Sequence, residues 1–121
     1  MESEPVFKFE ELQVYQKALD FVDRAYVLAR KFPDSELYNL CSQFKRASVS
    51  IPLNIAEGAG DSDAQFNRFL QIAIDSVKEC VVCSTIARRQ EFTDREEDIE
   101  NRRKLAELSK MITGLQKYLK K

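Results

Sequence analysis

Residues 9–32 decide the fold, and they read FEELQVYQKALDFVDRAYVLARKF, directly before Pro33. Apolar residues recur every three or four positions, which is the period of an α-helix, and a proline cannot continue that helix. One apolar stripe contains Leu12, Tyr15, Leu19, Val22, Tyr26 and Ala29, and the stripe beside it contains Val14, Ala18, Phe21, Ala25, Leu28 and Phe32. Together the two stripes cover roughly 200° of the helix, whereas one core-facing surface needs little more than about 100°.

This surplus of apolar surface predicts a second contact for the first helix. One stripe would pack inside the chain's own bundle, and a second copy of the chain is the simplest partner for the other. We therefore expect a homo-oligomer whose interface contains Val14, Ala18, Phe21, Ala25 and Leu28.

Three more helical patterns follow the first one, which spans about residues 9–32. They cover about residues 35–58, 62–90 and 94–120. Asp34 and Ser35 are suitable N-cap residues for the second helix. Pro52 lies inside the second pattern and removes one backbone hydrogen bond, which predicts a kink or a short break near Ser48.

Capping residues mark the starts of the last two helices. Ser62 with Gln65, and Thr93 with Glu96, both have the spacing of a capping box. Because the breaks between helices are short, successive helices should be antiparallel neighbours. The sequence predicts one all-α domain, residues 1–121, folded as an antiparallel up-down-up-down four-helix bundle with its second helix kinked near Pro52.

Charge and hydropathy bound the functional class. Nineteen basic and 20 acidic residues give a net charge of −1, which counts against a dedicated nucleic-acid binder unless the basic residues form a local patch. The acidic start of the chain precedes no apolar run, so we expect neither a signal peptide nor a membrane span. Three cysteines, an odd number within apolar patterns, fit reduced thiols in the cytoplasm.

The sequence offers little for catalysis or metal binding. It has no histidine, which removes the commonest general base and the commonest metal ligand. Cys80 and Cys83 form a Cys-x-x-Cys motif, but the motif lies inside a predicted helix and lacks the further ligands of a zinc site. We interpret both cysteines as core residues and expect no enzyme activity, no cofactor and no metal.

Basic residues are the ambiguous feature of the sequence. Arg103, Lys110 and Lys117 share one stripe of the predicted fourth helix, and Lys45 and Arg46 form a smaller basic spot before Pro52. Glu107 lies at helical spacing from Arg103 and from Lys110, so an ordinary face of surface ion pairs is the alternative to a binding site.

Residues 43–58, QFKRASVSIPLNIAEG, closely resemble the signature of the 23S rRNA intervening-sequence proteins, a four-helix-bundle family also called S23. The opening residues 9–18, Phe32-Pro33, residues 66–70 and residues 111–115 resemble the family in the same order. The resemblance implies similarity to the accessory proteins of diversity-generating retroelements. Those proteins form ring-shaped homopentamers, bind nucleic acid on a basic surface and associate with a reverse transcriptase. Other family members are encoded inside insertions in rRNA genes.

Two segments depart from the family pattern. Asp61 and Asp63 stand where many relatives carry basic residues, and residues 88–92 replace the usual turn between the third and fourth helices. Both departures bear on nucleic-acid binding more than on the fold.

These observations lead to one functional hypothesis and one alternative. We expect a cytoplasmic, non-enzymatic homo-oligomer, a pentamer by resemblance, that acts as an adaptor for RNA or a nucleoprotein. Its partners would be RNA or DNA, or a reverse-transcriptase-like protein, and no membrane. The expected contact residues are Lys45, Arg46, Arg103, Lys110 and Lys117. The alternative is a protein-interaction scaffold that does not bind nucleic acid.

Overall fold

Four α-helices form the structure, a computed structural model that describes residues 2–120. The helices are α1 (Gln13–Ala29), α2 (Leu40–Gly58), α3 (Asp63–Arg89) and α4 (Arg95–Leu119), and short 3-10 turns occupy Lys8–Glu11 and Asp34–Glu36. The described residues contain no β-strand. The predicted all-α four-helix fold is therefore confirmed.

The helices occupy the four corners of a bundle. Each helix packs against the next one along the chain, and α1 also contacts α4, which closes the bundle. Neither α1 with α3 nor α2 with α4 is in contact, so these pairs are diagonal. This arrangement matters for function, because side chains on the outer faces of α2 and α4 lie on opposite sides of the molecule.

The predicted boundaries of the first two helices were too wide. Leu12 has an extended backbone, with φ −69° and ψ 124°, which separates the first 3-10 turn from α1. The second helix begins at Leu40, because Asn39 has a non-helical backbone. Glu36 takes over the predicted capping role of Asp34 and Ser35, since its Oε1 accepts a hydrogen bond of 3.3 Å from the Leu40 backbone N–H.

The caps of the last two helices were predicted with different success. The Ser62 side chain accepts a hydrogen bond of 3.2 Å from the Gln65 backbone N–H, which is one half of the predicted capping box. The box predicted for Thr93 and Glu96 is wrong by one residue, because Asp94 accepts from the Glu97 backbone N–H at 2.7 Å. The Glu97 side chain accepts in return from the Asp94 backbone N–H at 3.0 Å.

Pro52 lies inside α2 without interrupting it. The helix is continuous from Leu40 to Gly58, so the break considered near Ser48 does not occur. Pro52 is buried. A bend at this position stays a prediction.

The exposed fractions of the side chains show which apolar stripe of α1 faces the core. All five residues assigned to an oligomer interface are at most 5% exposed within the single chain: Val14, Ala18, Phe21, Ala25 and Leu28. That assignment was wrong, because this stripe fills the chain's own core. The other stripe lies mostly at the edge of the core, with Leu12, Tyr15 and Leu19 partly buried and Tyr26 39% exposed, while Ala29 at its end is buried.

Aromatic packing ties α1 to α2. The ring centroids of Phe21 and Phe44 lie 6.2 Å apart in an edge-to-face arrangement, and Phe32 stacks on Phe44 at the same centroid distance. Phe44 is 1% exposed. Such pairs add about 0.5–1.5 kcal/mol to the effect of burial alone.

A polar cluster inside the bundle connects α3 to α4. Asp98 is 1% exposed, and its carboxylate accepts hydrogen bonds from Ser84 Oγ at 2.7 Å, Arg88 at 3.0 Å and Arg102 at 3.1 Å. Asn101 Nδ2 also donates to Ser84 Oγ at 2.8 Å. Burial raises the pKa of Asp98, but the hydrogen bonds from Ser84 and the two arginines outweigh it, and the pKa is lowered overall.

The same cluster reaches α1. Arg24 Nε donates to Asn101 Oδ1 at 2.6 Å, and its Nη2 donates to the Glu97 carbonyl at 3.1 Å. These bonds, together with the Lys17–Glu107 ion pair and the Lys31–Glu97 ion pair just beyond the end of α1, join α1 to α4.

Among residues 2–120, no helix combines the length and the apolar character that crossing a bilayer requires.

Two glycines should respond in opposite ways to substitution by alanine. A Cβ on Gly58 would lie 2.8 Å from Phe66 Cδ1 and 2.9 Å from Phe69 Cβ, whereas one on Gly114 would meet nothing within 4 Å. Gly58→Ala should lower the free energy of unfolding by about 1–3 kcal/mol through overpacking. Gly114→Ala should raise it by about 1 kcal/mol through helix propensity. Urea titrations of both variants check this, and a stabilised Gly58→Ala variant would contradict the packing described.

Replacing Asp98 should lower stability in a pH-dependent way. Asp98→Asn leaves buried donors without a carboxylate and should cost about 3 kcal/mol at neutral pH. Since the folded pKa of Asp98 is lowered, its contribution is complete above the unfolded pKa of about 3.9 and disappears as pH falls through the folded value. The difference between wild type and variant should therefore shrink below about pH 4.

The matched control for this experiment is Asp75→Asn. Asp75 is exposed and accepts one side-chain hydrogen bond, from Gln71 at 3.3 Å. This variant should change stability by no more than about 0.5 kcal/mol. A loss in Asp98→Asn that stayed constant from neutral to acid pH would show that the charge of Asp98 is not what stabilises the cluster.

Candidate nucleic-acid interface

Lys45 and Arg46 project from the side of α2 that faces away from the core. Lys45 is partly buried and Arg46 is exposed. The Lys45 Nζ lies 5.0 Å from the centroid of the Tyr26 ring, which is a cation–π contact between α2 and α1. Neither cation forms an ion pair within the described part of the chain. The two positive charges are therefore available to a ligand.

A shallow groove of about 300 Å³ runs beside these cations. We call it the α1–α2 groove, and it is lined by Tyr26, Lys45, Arg46, Val49, Ser50 and Leu53. Val49 is 36% and Leu53 52% exposed, so the floor of the groove is apolar while its rim is cationic. Such a surface suits a ligand that has both flat apolar parts and negative charges.

The second predicted set, Arg103, Lys110 and Lys117, lies exposed along α4. Arg103 Nη1 is 2.6 Å from Glu100 Oε2, so its charge is partly neutralised. Lys110 and Lys117 form no ion pair within the described residues.

Glu107 does not form the intrahelical pairs expected from its spacing. Its Oε1 lies 2.6 Å from Lys17 Nζ on α1, which replaces the expected pairs with Arg103 and Lys110. The hydrogen bond and the opposite charge raise the pKa of Lys17 and lower that of Glu107. Glu107 therefore does not pair with Lys110, and the surface ion pairs that were the alternative to a binding site at Lys110 are not formed by Glu107.

The two basic sets do not converge on one chain. Lys45 and Arg46 are on α2, the three other residues are on α4, and these helices are diagonal in the bundle. A short ligand bound to one chain can contact the cations of α2 or those of α4, but not both sets at once. The α2 set lines a groove together with Tyr26, Val49 and Leu53, whereas on α4 the exposed Tyr118 directly follows Lys117.

Apolar side chains are also exposed on α3. Val82 is 56% and Ile86 40% exposed. A groove of about 400 Å³ separates them from the start of α2, and another of about 540 Å³ lies on the side of Val82 that faces α4. We call Val82, Ile86 and these flanking grooves the α3 ridge. A partner helix could pack on such a ridge.

The cysteines are core residues, as predicted. Cys80 is fully buried and Cys83 is 4% exposed. Burial raises the pKa of both thiols, that of Cys83 to about 11, so both are protonated at neutral pH. Protonated, buried thiols are poor nucleophiles. Residues 2–120 also contain no cluster of three Cys, Asp or Glu side chains able to hold a metal ion.

Sequence reasoning missed the role of Tyr26. Its helical spacing placed it in an apolar stripe together with Leu12 and Leu19, and nothing in that stripe marks its most exposed member. The signal that could have identified Tyr26 is its nearness to Lys45, because antiparallel packing of the first two helices brings these positions together. That relation needs the register of the two helices, which the sequence alone does not provide.

Comparison with known proteins places the chain beside one family and beside solved structures. The family model described as 23S rRNA-intervening sequence protein matches residues 10–114. A crystal structure from Bacteroides thetaiotaomicron, a protein with unknown function from the S23 ribosomal protein family, superposes with a TM-score of 0.79 and 25% sequence identity. The alignment covers 86% of this chain and 98% of that one. No curated protein matches the chain.

Proposed function

The chain belongs to the 23S rRNA-intervening sequence protein family, and from this premise we propose that it is a non-catalytic RNA adaptor that acts as a homo-oligomer. The observation that supports this proposal most is the pair Lys45 and Arg46, which forms no ion pair within the described residues and lies beside Tyr26 in the α1–α2 groove. The proposal assigns RNA binding to this groove first, and to Arg103, Lys110 and Lys117 as a second contact that an assembled oligomer could add.

The charge balance of the chain limits what this binding can be. With a net charge of −1, the whole protein does not attract RNA, so affinity must come from local cations. Contacts between cations and phosphates release counterions, and affinity therefore falls as salt rises. The proposed binding is accordingly weak at high salt and depends on a few named side chains.

A homo-oligomer needs a different interface from the one predicted on α1. The α3 ridge supports such an interface, because Val82 and Ile86 are exposed apolar residues between two grooves. Leu37 and Tyr38, 49% and 93% exposed, add apolar surface just before α2. We propose that a neighbouring copy covers the α3 ridge, and that the oligomer is a pentamer, as the resemblance to ring-forming accessory proteins implies.

The proposal includes no catalytic step. The chain lacks histidine, and the thiols of Cys80 and Cys83 are protonated in the core. If a protein partner exists, a reverse-transcriptase-like protein is the one that the same resemblance implies.

A protein-interaction scaffold without RNA binding is the second candidate. The exposed apolar residues of the α3 ridge and the net charge of −1 favour it. The two candidates differ in whether removal of the α2 cations has any effect on ligand binding.

Neutralising the α2 cations should weaken RNA binding more than neutralising two α4 cations. In the Lys45→Ala/Arg46→Ala variant, the slope of log affinity against log salt should become shallower by roughly one to two units, because two phosphate contacts are lost. The charge-matched control is Lys110→Ala/Lys117→Ala, for which we expect a smaller change. Fluorescence anisotropy with a labelled structured RNA measures both. Equal affinity of the first variant and the wild type would refute the assignment to α2.

Placing a charge on the α3 ridge should dissociate the oligomer. Val82→Asp would bury a carboxylate in the proposed contact, whereas Val27→Asp places the same change on α1 at an almost equal exposure, 55% against 56%. Light scattering should give the mass of a monomer for the first variant and the wild-type mass for the second. Wild-type mass for Val82→Asp, or a monomeric wild type, would contradict the proposed interface.

A further inference from the structure

We infer that the α1–α2 groove binds unpaired nucleotides, with Tyr26 as the surface on which a base stacks and Lys45 and Arg46 as the phosphate contacts. This inference rests on the proposed RNA binding and specifies its ligand: a single-stranded segment rather than a duplex.

Tyr26 is the aromatic residue of the groove. Its side chain is 39% exposed at the edge of the groove, and Lys45 Nζ lies over its ring at 5.0 Å. An exposed cation–π contact is weak, so a phosphate can draw Lys45 away and leave the ring to a base. Stacking on an aromatic side chain is tolerant of sequence because every base has a π-face.

Val49 and Leu53 form the apolar floor of the groove. A duplex presents phosphates and groove edges to a protein, while the flat faces of its bases are stacked inside. Phosphates over Val49 and Leu53 would lose water without gaining a partner. Only an unpaired strand offers flat base faces to this floor together with phosphates to the cationic rim.

Charged side chains of both signs surround the groove. Arg30, which caps the end of α1 four residues after Tyr26, is an exposed third cation at helical spacing from Tyr26. Asp23 lies three residues before Tyr26 on α1, and Glu57 lies four residues after Leu53 on α2. Both acidic side chains are exposed within about one helical turn of a groove residue, so they oppose the positive charge of Lys45 and Arg46. The attractive surface is therefore short and suits a few nucleotides in a loop or at a strand end, rather than an extended helix.

The experiment compares two forms of one RNA. A labelled single-stranded oligouridylate, and the same strand annealed to its complement, are titrated with the full chain at low salt and followed by fluorescence anisotropy. We expect the single strand to bind about tenfold more tightly than the duplex. Tyr26→Ala should weaken single-strand binding about tenfold, and Tyr26→Phe should retain it, since the ring and not the hydroxyl provides the stacking surface.

Two further variants separate stacking from folding and from charge. Tyr26→Leu keeps apolar bulk against α2 but lacks the aromatic ring, and it should weaken binding as Tyr26→Ala does while melting like the wild type by circular dichroism. Tyr118→Ala removes a tyrosine that is 69% exposed on α4 and should leave affinity unchanged. None of the three Tyr26 variants should alter the salt slope, whereas the Lys45→Ala/Arg46→Ala variant should.

The possible results distinguish this inference from the proposed function. Equal binding of the single strand and the duplex, or wild-type affinity in Tyr26→Leu, would overturn the inference while leaving RNA binding in place. No binding of either RNA form would overturn both. If RNA failed to bind and Tyr26→Leu changed the mass of the oligomer, the groove would be a protein contact, and both would again be overturned.

Discussion

The close approach of α2 to α3 at Gly58 is the constraint on which the rest of the structure depends. No side chain larger than a hydrogen fits there, because a Cβ would meet Phe66 and Phe69 at less than 3 Å. This contact brings the end of α2 against the first turns of α3 and thereby sets the register of the two helices. On another side α2 packs against α1, where Phe44 lies between Phe21 and Phe32 and Lys45 reaches the ring of Tyr26.

Position along α2 determines which of its side chains are buried in the core and which line the groove. Residues that follow the core period, such as Phe44, Ile51 and Ile55, are at most 1% exposed. The residues between them, Lys45 and Arg46, point to solvent beside Val49 and Leu53. The α1–α2 groove is thus a by-product of helix packing that carries chemistry suited to a nucleic acid. The polar cluster around Asp98 serves the opposite corner, where it aligns α4 with α3 and, through Arg24, with α1.

The fold was predictable from the sequence because helical periodicity and breaks are local signals. The two stripes of α1 were both visible, but which stripe faces the core depends on where α2 and α4 lie, and the wrong one was assigned to an interface. The caps show a similar limit: Thr93 and Asp94 are both favourable N-cap types, Asp the better one, and the turn places Asp94 at the cap. Asp98, in turn, is an ordinary acidic residue of an N-terminal turn until Ser84 and Arg88 approach it from α3.

The site was predictable only in part, because Lys45 and Arg46 are visible in the sequence whereas their aromatic neighbour belongs to another helix. The central claim, that RNA contacts α2 through the α1–α2 groove, is tested most directly by photo-crosslinking. The full chain would be irradiated with an RNA carrying 4-thiouridine, digested and analysed by mass spectrometry. The account predicts cross-links at Tyr26 and within residues 45–53. Cross-links confined to α4 around Lys110 and Lys117, or none above the level seen with free nucleotide, would contradict it.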